Sequence, residues 1–166
     1  SGVGLVGLTI AALGAASVDL TDLDGEDVDN PSGLISNLKR NIELNGFGEI
    51  ARARRLDWRE EDDQDATYDV VIASDCIYYP EIVLPLAETI KRCLVKGENT
   101  VAYVVSPDRD WSDAKYPRAS FQDLRLALES IQCTILSTTP FLTRAPLSSN
   151  TESLLLMEVV APNDSA

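Results

Sequence analysis

The 166-residue chain contains no histidine. That absence removes the commonest general base and the commonest metal ligand, so Ser-His-Asp hydrolysis and histidine-based zinc chemistry are excluded within these residues. Cysteine is scarce. Cys76, Cys93 and Cys133 form an odd count without C-x-x-C spacing. That argues against a disulfide framework or metal site and for reduced, buried thiols in a cytoplasmic protein, the nucleus being a second compartment open to it. No run of about eighteen apolar residues occurs, so nothing reads as a membrane span. Basic residues number 14 against 27 acidic ones, a net charge of −13. Such a surface repels phosphate backbones, which leaves nucleic acid an unexpected partner. It favours a basic partner, such as a lysine-bearing protein segment, or serves solubility alone.

What is present is enough for a folded domain. Hydrophobic residues make up 45% of the chain, and the length suits one domain, read as residues 1–161 with a frayed tail at 162–166. Apolar residues from Leu5 to Leu13 predict a buried helix, ended by Gly14. Ser17 to Thr21 reads as a short strand ending at Asp22, and 23–32 as an acidic loop. Leu34, Leu38 and Ile42 recur every four residues and predict the buried stripe of a second helix, stopped by Asn45 and Gly46.

Ala51 to Trp58 reads as a strand. Asp69 to Ser74 is nearly all apolar, as in a strand buried on both faces. The helix after it carries Ile82, Leu86, Ile90 and Leu94 along one side, with Pro85 expected in its first turn. Thr100 to Ser106 is another strand. Ser120 and Asp123 resemble a capping box, opening a helix with Phe121, Leu124, Leu128 and Ile131 on one face. Thr134 to Phe141 and Ser153 to Ala161 leave no room between them for a crossover helix and should pair antiparallel. Alternating strands and helices predict a doubly wound α/β fold, mostly parallel, closed by that antiparallel pair.

Ligands of open α/β sheets bind beyond the carboxyl ends of the strands. The first candidate there is Gly2-Val3-Gly4-Leu5-Val6-Gly7, a G-x-G-x-x-G run that lets backbone approach a nucleotide at a helix start. Such a loop normally follows a strand. The chain opens inside the loop, without a Met, so it is expected to be the remainder of a longer protein whose first strand is missing here. Asp22 follows about twenty residues on, a spacing suited to ribose hydroxyls. Trp58 ends its strand and can flank a flat base or pack in the core. Ser74-Asp75-Cys76-Ile77-Tyr78-Tyr79-Pro80 is the sharpest signal. An acid after so apolar a strand is costly unless it meets a polar partner, and two tyrosines beside it suggest an aromatic-walled slot. A helix-capping Asp75 with tyrosines packed over it is the alternative.

These residues, with L-T-D-L at 20–23, L-I-S-N-L-K-R-N-I-E-L-N at 34–45 and L-D-W at 56–58, resemble the seven-stranded S-adenosylmethionine-dependent methyltransferases. Within them the chain is similar to methyltransferase family 16, the protein-lysine methyltransferase group. That family carries a D-x-x-Y motif after its fourth strand, matched by Asp75 and Tyr78. The D-C-I-Y-Y form is similar to the branch that methylates valosin-containing protein, a hexameric ATPase, while Ser106-Pro107-Asp108-Arg109 and the acidic stretch 24–32 depart from the pattern.

The resemblance implies a Rossmann-like sheet and S-adenosyl-L-methionine as cofactor. It implies Gly2, Val3 and Gly4 along the methionine part, Asp22 on the ribose, Asp57 and Trp58 at the adenine, and Ser74 lining the pocket. Tyr79 counts with the cofactor-lining residues beside the reacting centre, and Asp75 and Tyr78 form the catalytic pair. No metal is implied. It also places the missing strand at the sheet centre, so the fragment alone is expected to be unstable or to aggregate. The expected function is methyl transfer by a monomer to a protein lysine. A small-molecule amine substrate, a dinucleotide-binding oxidoreductase and a non-catalytic interaction domain stay open on the residues alone.

Overall fold

Gly4 turns left-handed, with φ of 88°, and its carbonyl accepts the N–H of Leu8 at 2.9 Å. Helix α1, Leu5–Ala12, starts from that turn, and Gly14 (φ 96°) follows its end. This is a computed structural model describing residues 2–23, 33–60, 66–94, 100–107, 115–144 and 151–162. Two compact units make it up, residues 1–62 and 63–166. The acidic stretch 24–32, the loop 61–65, Asp108, Arg109, Trp111 and the tail at 163–166 lie outside the described residues.

In the first unit, α1 is followed by β1 (Val18–Asp22), α2 (Leu34–Leu44) and β2 (Ala51–Arg55). The two strands pair in parallel, from Val18 opposite Ala51 to Asp22 opposite Arg55. Leu20 of β1, Ile35, Leu38 and Ile42 of α2 and Ala51 form the core, with Leu8 and Phe47 packed against it. The buried stripe of α2 therefore runs through Ile35, Leu38 and Ile42, and Leu34 is exposed. A spacing of three then four residues keeps to one face of a helix as well as a spacing of four, and packing against β1 selects Ile35. Helix α1 is less buried than its composition predicts. Ala11 is its one buried residue, and Leu5 and Val6 face outward, as does Leu13 just beyond its end. A helix apolar on every side has no pattern that fixes which side will be covered.

The second unit comprises β3 (Val70–Ser74), α3 (Pro80–Cys93), β4 (Val101–Pro107), α4 (Phe121–Ser130), β5 (Thr134–Arg144) and β6 (Thr151–Val160). Its four strands run in the order β3-β4-β6-β5, with β3 parallel to β4 and β6 antiparallel to both neighbours. The terminal antiparallel pair is thus as its short connection requires. Between β2 and β3 no helix occurs among the described residues. Strand β3 is not covered on both faces: Val70 is 49% and Ile72 38% exposed. It lies at the edge of its sheet, paired with β4 alone. Apolar composition permits two-sided burial without supplying the covering layer.

Helix α3 takes Pro80 as its first residue, where a missing N–H does no harm. Pro85 therefore sits inside the helix, beyond the expected first turn, and the bond its nitrogen would make to the Glu81 carbonyl is absent. Val83, Leu86, Ala87 and Ile90 bury the inner face. Lys91 donates to the Ile131 carbonyl at 2.8 Å, tying α3 to the end of α4. Of the cysteines only Cys133 is buried; Cys76 and Cys93 are partly exposed, and none of the three is in a disulfide.

The capping box at α4 is present in both directions. Asp123 N–H donates to Ser120 Oγ at 3.2 Å, and the Asp123 carboxylate accepts from the Ser120 N–H at 2.7 Å. Ser120→Ala should lower the unfolding free energy by about 1 kcal/mol. Urea denaturation measures this, and an unchanged midpoint would show that the box adds nothing.

Candidate functional site

The three glycines of the opening run have different duties. A Cβ at Gly7 would lie 2.6 Å from Leu20 Cγ. One at Gly4 would lie 2.8 Å from Leu20 Cδ2 and 2.9 Å from Leu38 Cδ2. Both glycines are demanded by packing of the loop and α1 on β1 and α2. Gly2 differs: its φ is 55°, and nothing lies within 4 Å of where a Cβ would be. It is the glycine that keeps backbone bare beside open space.

Asp22, at the carboxyl end of β1, accepts the Gly2 N–H at 2.7 Å through Oδ2 and the Leu23 N–H at 2.8 Å through Oδ1. Strand β2 ends at Arg55, short of the Trp58 expected from the sequence, so Asp57 and Trp58 follow it, brought alongside by the Leu56 N–H, which donates to the Asp22 carbonyl at 2.9 Å. Gly2, Val3, Gly4, Asp22, Asp57 and Trp58 thus gather at one end of the first unit, beyond the carboxyl ends of β1 and β2.

Two contacts there carry no sequence signal of their own. Asn41 Nδ2 donates to the Val3 carbonyl at 2.9 Å and so steadies the loop from α2. It lies inside the L-K-R-N part of the stretch that carries the family resemblance, which was the only available pointer. Asp57 is held by Arg59, whose Nε and Nη2 donate to its two oxygens at 2.9 and 2.7 Å. A ligand amine reaching Asp57 would share the carboxylate with that guanidinium.

The second unit carries the other candidates. Ser74 ends β3, and Asp75 follows with φ of 52°. Asp75 and Gln132 are the non-glycine residues of positive φ among the described residues. Gln132 belongs to the end of α4, where Cys133 N–H bonds back to the Leu128 carbonyl, as left-handed helix ends require. Asp75 stands at the end of a strand, and such conformations cluster at functional sites. Its N–H donates to the Val105 carbonyl of β4 at 2.8 Å, and its Oδ1 is shielded from solvent.

Ile77 is buried, while Tyr78 and Tyr79 are 40% and 43% exposed. Tyr78 accepts the Ala119 N–H on its carbonyl at 3.2 Å, and Arg118 lies over the Tyr79 ring at 4.6 Å. A cavity of about 250 Å³ opens beside this segment, lined by Ile77, Ser106, Pro107, Phe121 and Leu155 among others. Among the described residues there is no group of three His, Cys, Asp or Glu side chains that could hold a metal, and no helix long and apolar enough to cross a membrane.

The family described as lysine methyltransferase matches residues 1–123. A calmodulin-lysine N-methyltransferase of Arabidopsis thaliana is 36% identical over 121 residues, 70% of this chain and 38% of that protein. The protein-lysine N-methyltransferase EFM2 of Saccharomyces cerevisiae is 31% identical over 87 residues, 49% of this chain and 20% of that protein. The chain therefore spans well under half the length of these relatives. Among solved structures, an S-adenosylmethionine-dependent methyltransferase of Methanosarcina mazei superposes with a TM-score of 0.70 at 13% identity, over 96% of this chain and 89% of that one. The fold is the Rossmann-like fold of such enzymes.

Asp57 provides a titration test. Chiefly through the Arg59 hydrogen bond, its carboxyl is lowered from 3.8 to about 2. A lowered folded-state value means that the ion pair stabilises the fold fully above pH ~4 and that this contribution is lost as pH falls towards 2. Arg59→Ala should return the Asp57 midpoint to the ordinary aspartate range, followed by carboxyl-carbon NMR. A midpoint that stays near 2 in the variant would contradict the pairing.

Proposed function

The chain belongs to the lysine methyltransferase family, and on that premise we propose that it methylates the side-chain amine of a lysine in a protein substrate, with S-adenosylmethionine as donor. The observation that carries the reading is Asp75: a carboxylate in left-handed backbone at the carboxyl end of β3, followed by two half-exposed tyrosines.

The first unit fits an adenosyl cofactor on its own contacts. Gly2 leaves open space where any other residue would place a Cβ. Asp22 is pinned by two backbone N–H groups, which do not exhaust the acceptor capacity of a carboxylate facing a diol. In this reading Gly2, Val3 and Gly4 run along the methionine part, Asp22 holds the ribose, and Asp57 and Trp58 meet the adenine. The family resemblance assigns Ser74 and Tyr79 to the cofactor as well. When bound, the cofactor supplies an electrophilic methyl group on a sulfonium, so the hard chemistry is its own.

The protein's task is to deliver a neutral amine in line with that methyl and to exclude water. A free lysine has a pKa of about 10.4 and arrives as an ammonium. Asp75 attracts and orients it, and Tyr78 offers a hydroxyl acceptor and a ring face. The amine's proton would leave to solvent, so these residues need only hold and orient the nitrogen. No histidine is needed for that step. Three cysteines outside any disulfide support action in a reducing compartment, the cytoplasm, and we read the enzyme as acting as a monomer.

Titration calorimetry on the full-length protein should show S-adenosylhomocysteine binding and none of NADH. Asp22→Ala should weaken that binding by about 1.5–3 kcal/mol. Binding of NADH in place of S-adenosylhomocysteine would overturn the reading.

Transfer of labelled methyl into extract proteins tests the second unit. Asp75→Ala should lower transfer roughly a hundredfold while leaving cofactor affinity nearly unchanged, and Tyr78→Phe should cost less because it keeps the ring. Near-wild-type transfer by a folded Asp75→Ala protein would remove Asp75 from the mechanism.

A further inference from the structure

The ring of Tyr79 already carries a cation. The Arg118 guanidinium carbon stands 4.6 Å from its centroid. Thirty-nine positions separate the two residues along the chain, yet both are anchored within a few atoms of the contact. Ala119, 1% exposed, donates its N–H to the Tyr78 carbonyl at 3.2 Å. Ser120, the next residue, is fixed by the capping box of α4. On the other side Tyr79 is the extended N-cap of α3, and its carbonyl accepts the Ile82 N–H at 3.2 Å. The ring is therefore rooted at the start of one helix and covered by a residue rooted at the start of another.

This arrangement separates two tyrosines that look equivalent in the sequence. A substrate ammonium is a cation seeking the negative face of an aromatic ring. The Tyr79 face beneath Arg118 is held by a charge of the same sign. Tyr78, also partly exposed and one residue nearer Asp75, has its main chain fixed by the same strap through Ala119.

We propose that Arg118 is a positioning residue: it clamps the Tyr79 ring, denies that face to the incoming amine and so confines amine capture to Asp75 and Tyr78. The proposal rests on the methyltransferase reading and assigns Arg118 to substrate capture through Tyr79, which that reading also counts with the cofactor-binding residues.

The test uses the full-length protein and the acceptor that the wild type labels most heavily in extract. Arg118→Ala should lower kcat for that acceptor roughly two- to fivefold without raising KM, because the freed Tyr79 face then takes the ammonium in a non-productive pose worth one exposed cation–π contact. Affinity for S-adenosylhomocysteine should change less than kcat. Arg118→Lys should recover most of the loss, because a cation returns to the ring. On a Tyr79→Leu background, Arg118→Ala should have no further effect, since its action runs through the missing ring. An unchanged kcat, a raised KM, or an equal loss on the Tyr79→Leu background would overturn the proposal.

A second measurement stands apart from activity. With ring-labelled tyrosine, Arg118→Ala should shift the Tyr79 ring resonances and Arg118→Lys should largely restore them; no shift would overturn the clamp. If the wild type transfers no methyl to any protein, the functional reading fails while this ring measurement still decides whether Arg118 holds Tyr79.

Discussion

The first unit depends on how closely α1 lies on β1. At Gly7 the approach is such that a single added carbon would meet Leu20 at 2.6 Å. Leu20 is itself 2% exposed and at the centre of the core. Only this closeness brings the Gly2 amide within 2.7 Å of the Asp22 carboxylate, because the glycine loop is the N-terminal extension of the same helix. A close-packed interior does not yield half an ångström without loss elsewhere, so the packing requirement and the site geometry are one constraint. The opening run thus combines two demands. Gly4 and Gly7 answer to neighbouring leucines, and Gly2 answers to whatever occupies the open space beside it.

The second unit reaches a comparable result through backbone conformation. Strand β3 stops at Ser74, and Asp75 breaks into left-handed geometry while its N–H keeps a bond to β4. Aspartate tolerates that region better than most residues, so the strain is modest. The break turns the chain so that Ile77 is buried and the two tyrosines emerge before Pro80 starts α3. Ladder, break and helix start leave little freedom in where the carboxylate stands.

Charge follows the same logic of local pairing. The chain is strongly acidic overall, yet β2 and the residues after it carry four arginines, and each has an acidic partner. Arg52 and Arg54 both bond Asp19, whose side chain is 3% exposed. Arg55 pairs with Glu60 and Arg59 with Asp57. Burying Asp19 is tolerable because two guanidiniums and their hydrogen bonds accompany it. The net charge therefore describes the far field of this protein and says little about the first unit's strand edge, where four arginines meet three carboxylates.

Much of this was legible in the amino-acid order. Periods of two and 3.6 located the strands and helices, Ser120 and Asp123 announced their capping box, and the short link between the last two strands dictated antiparallel pairing. The candidate residues were also legible, since glycine spacing, an acid twenty residues on and D-x-x-Y after an apolar strand are local patterns. Other features were decided only by closure of the chain. The tertiary structure chose Ile35 over Leu34, gave Asp57 to Arg59, brought Asn41 across 38 positions to the glycine loop and put Arg118 on Tyr79 instead of Tyr78. The physical reason is one of range. Backbone propensity and periodicity act within a few residues and are written in the sequence directly, whereas hydrogen-bond partners, ring faces and covered surfaces depend on which distant residues arrive.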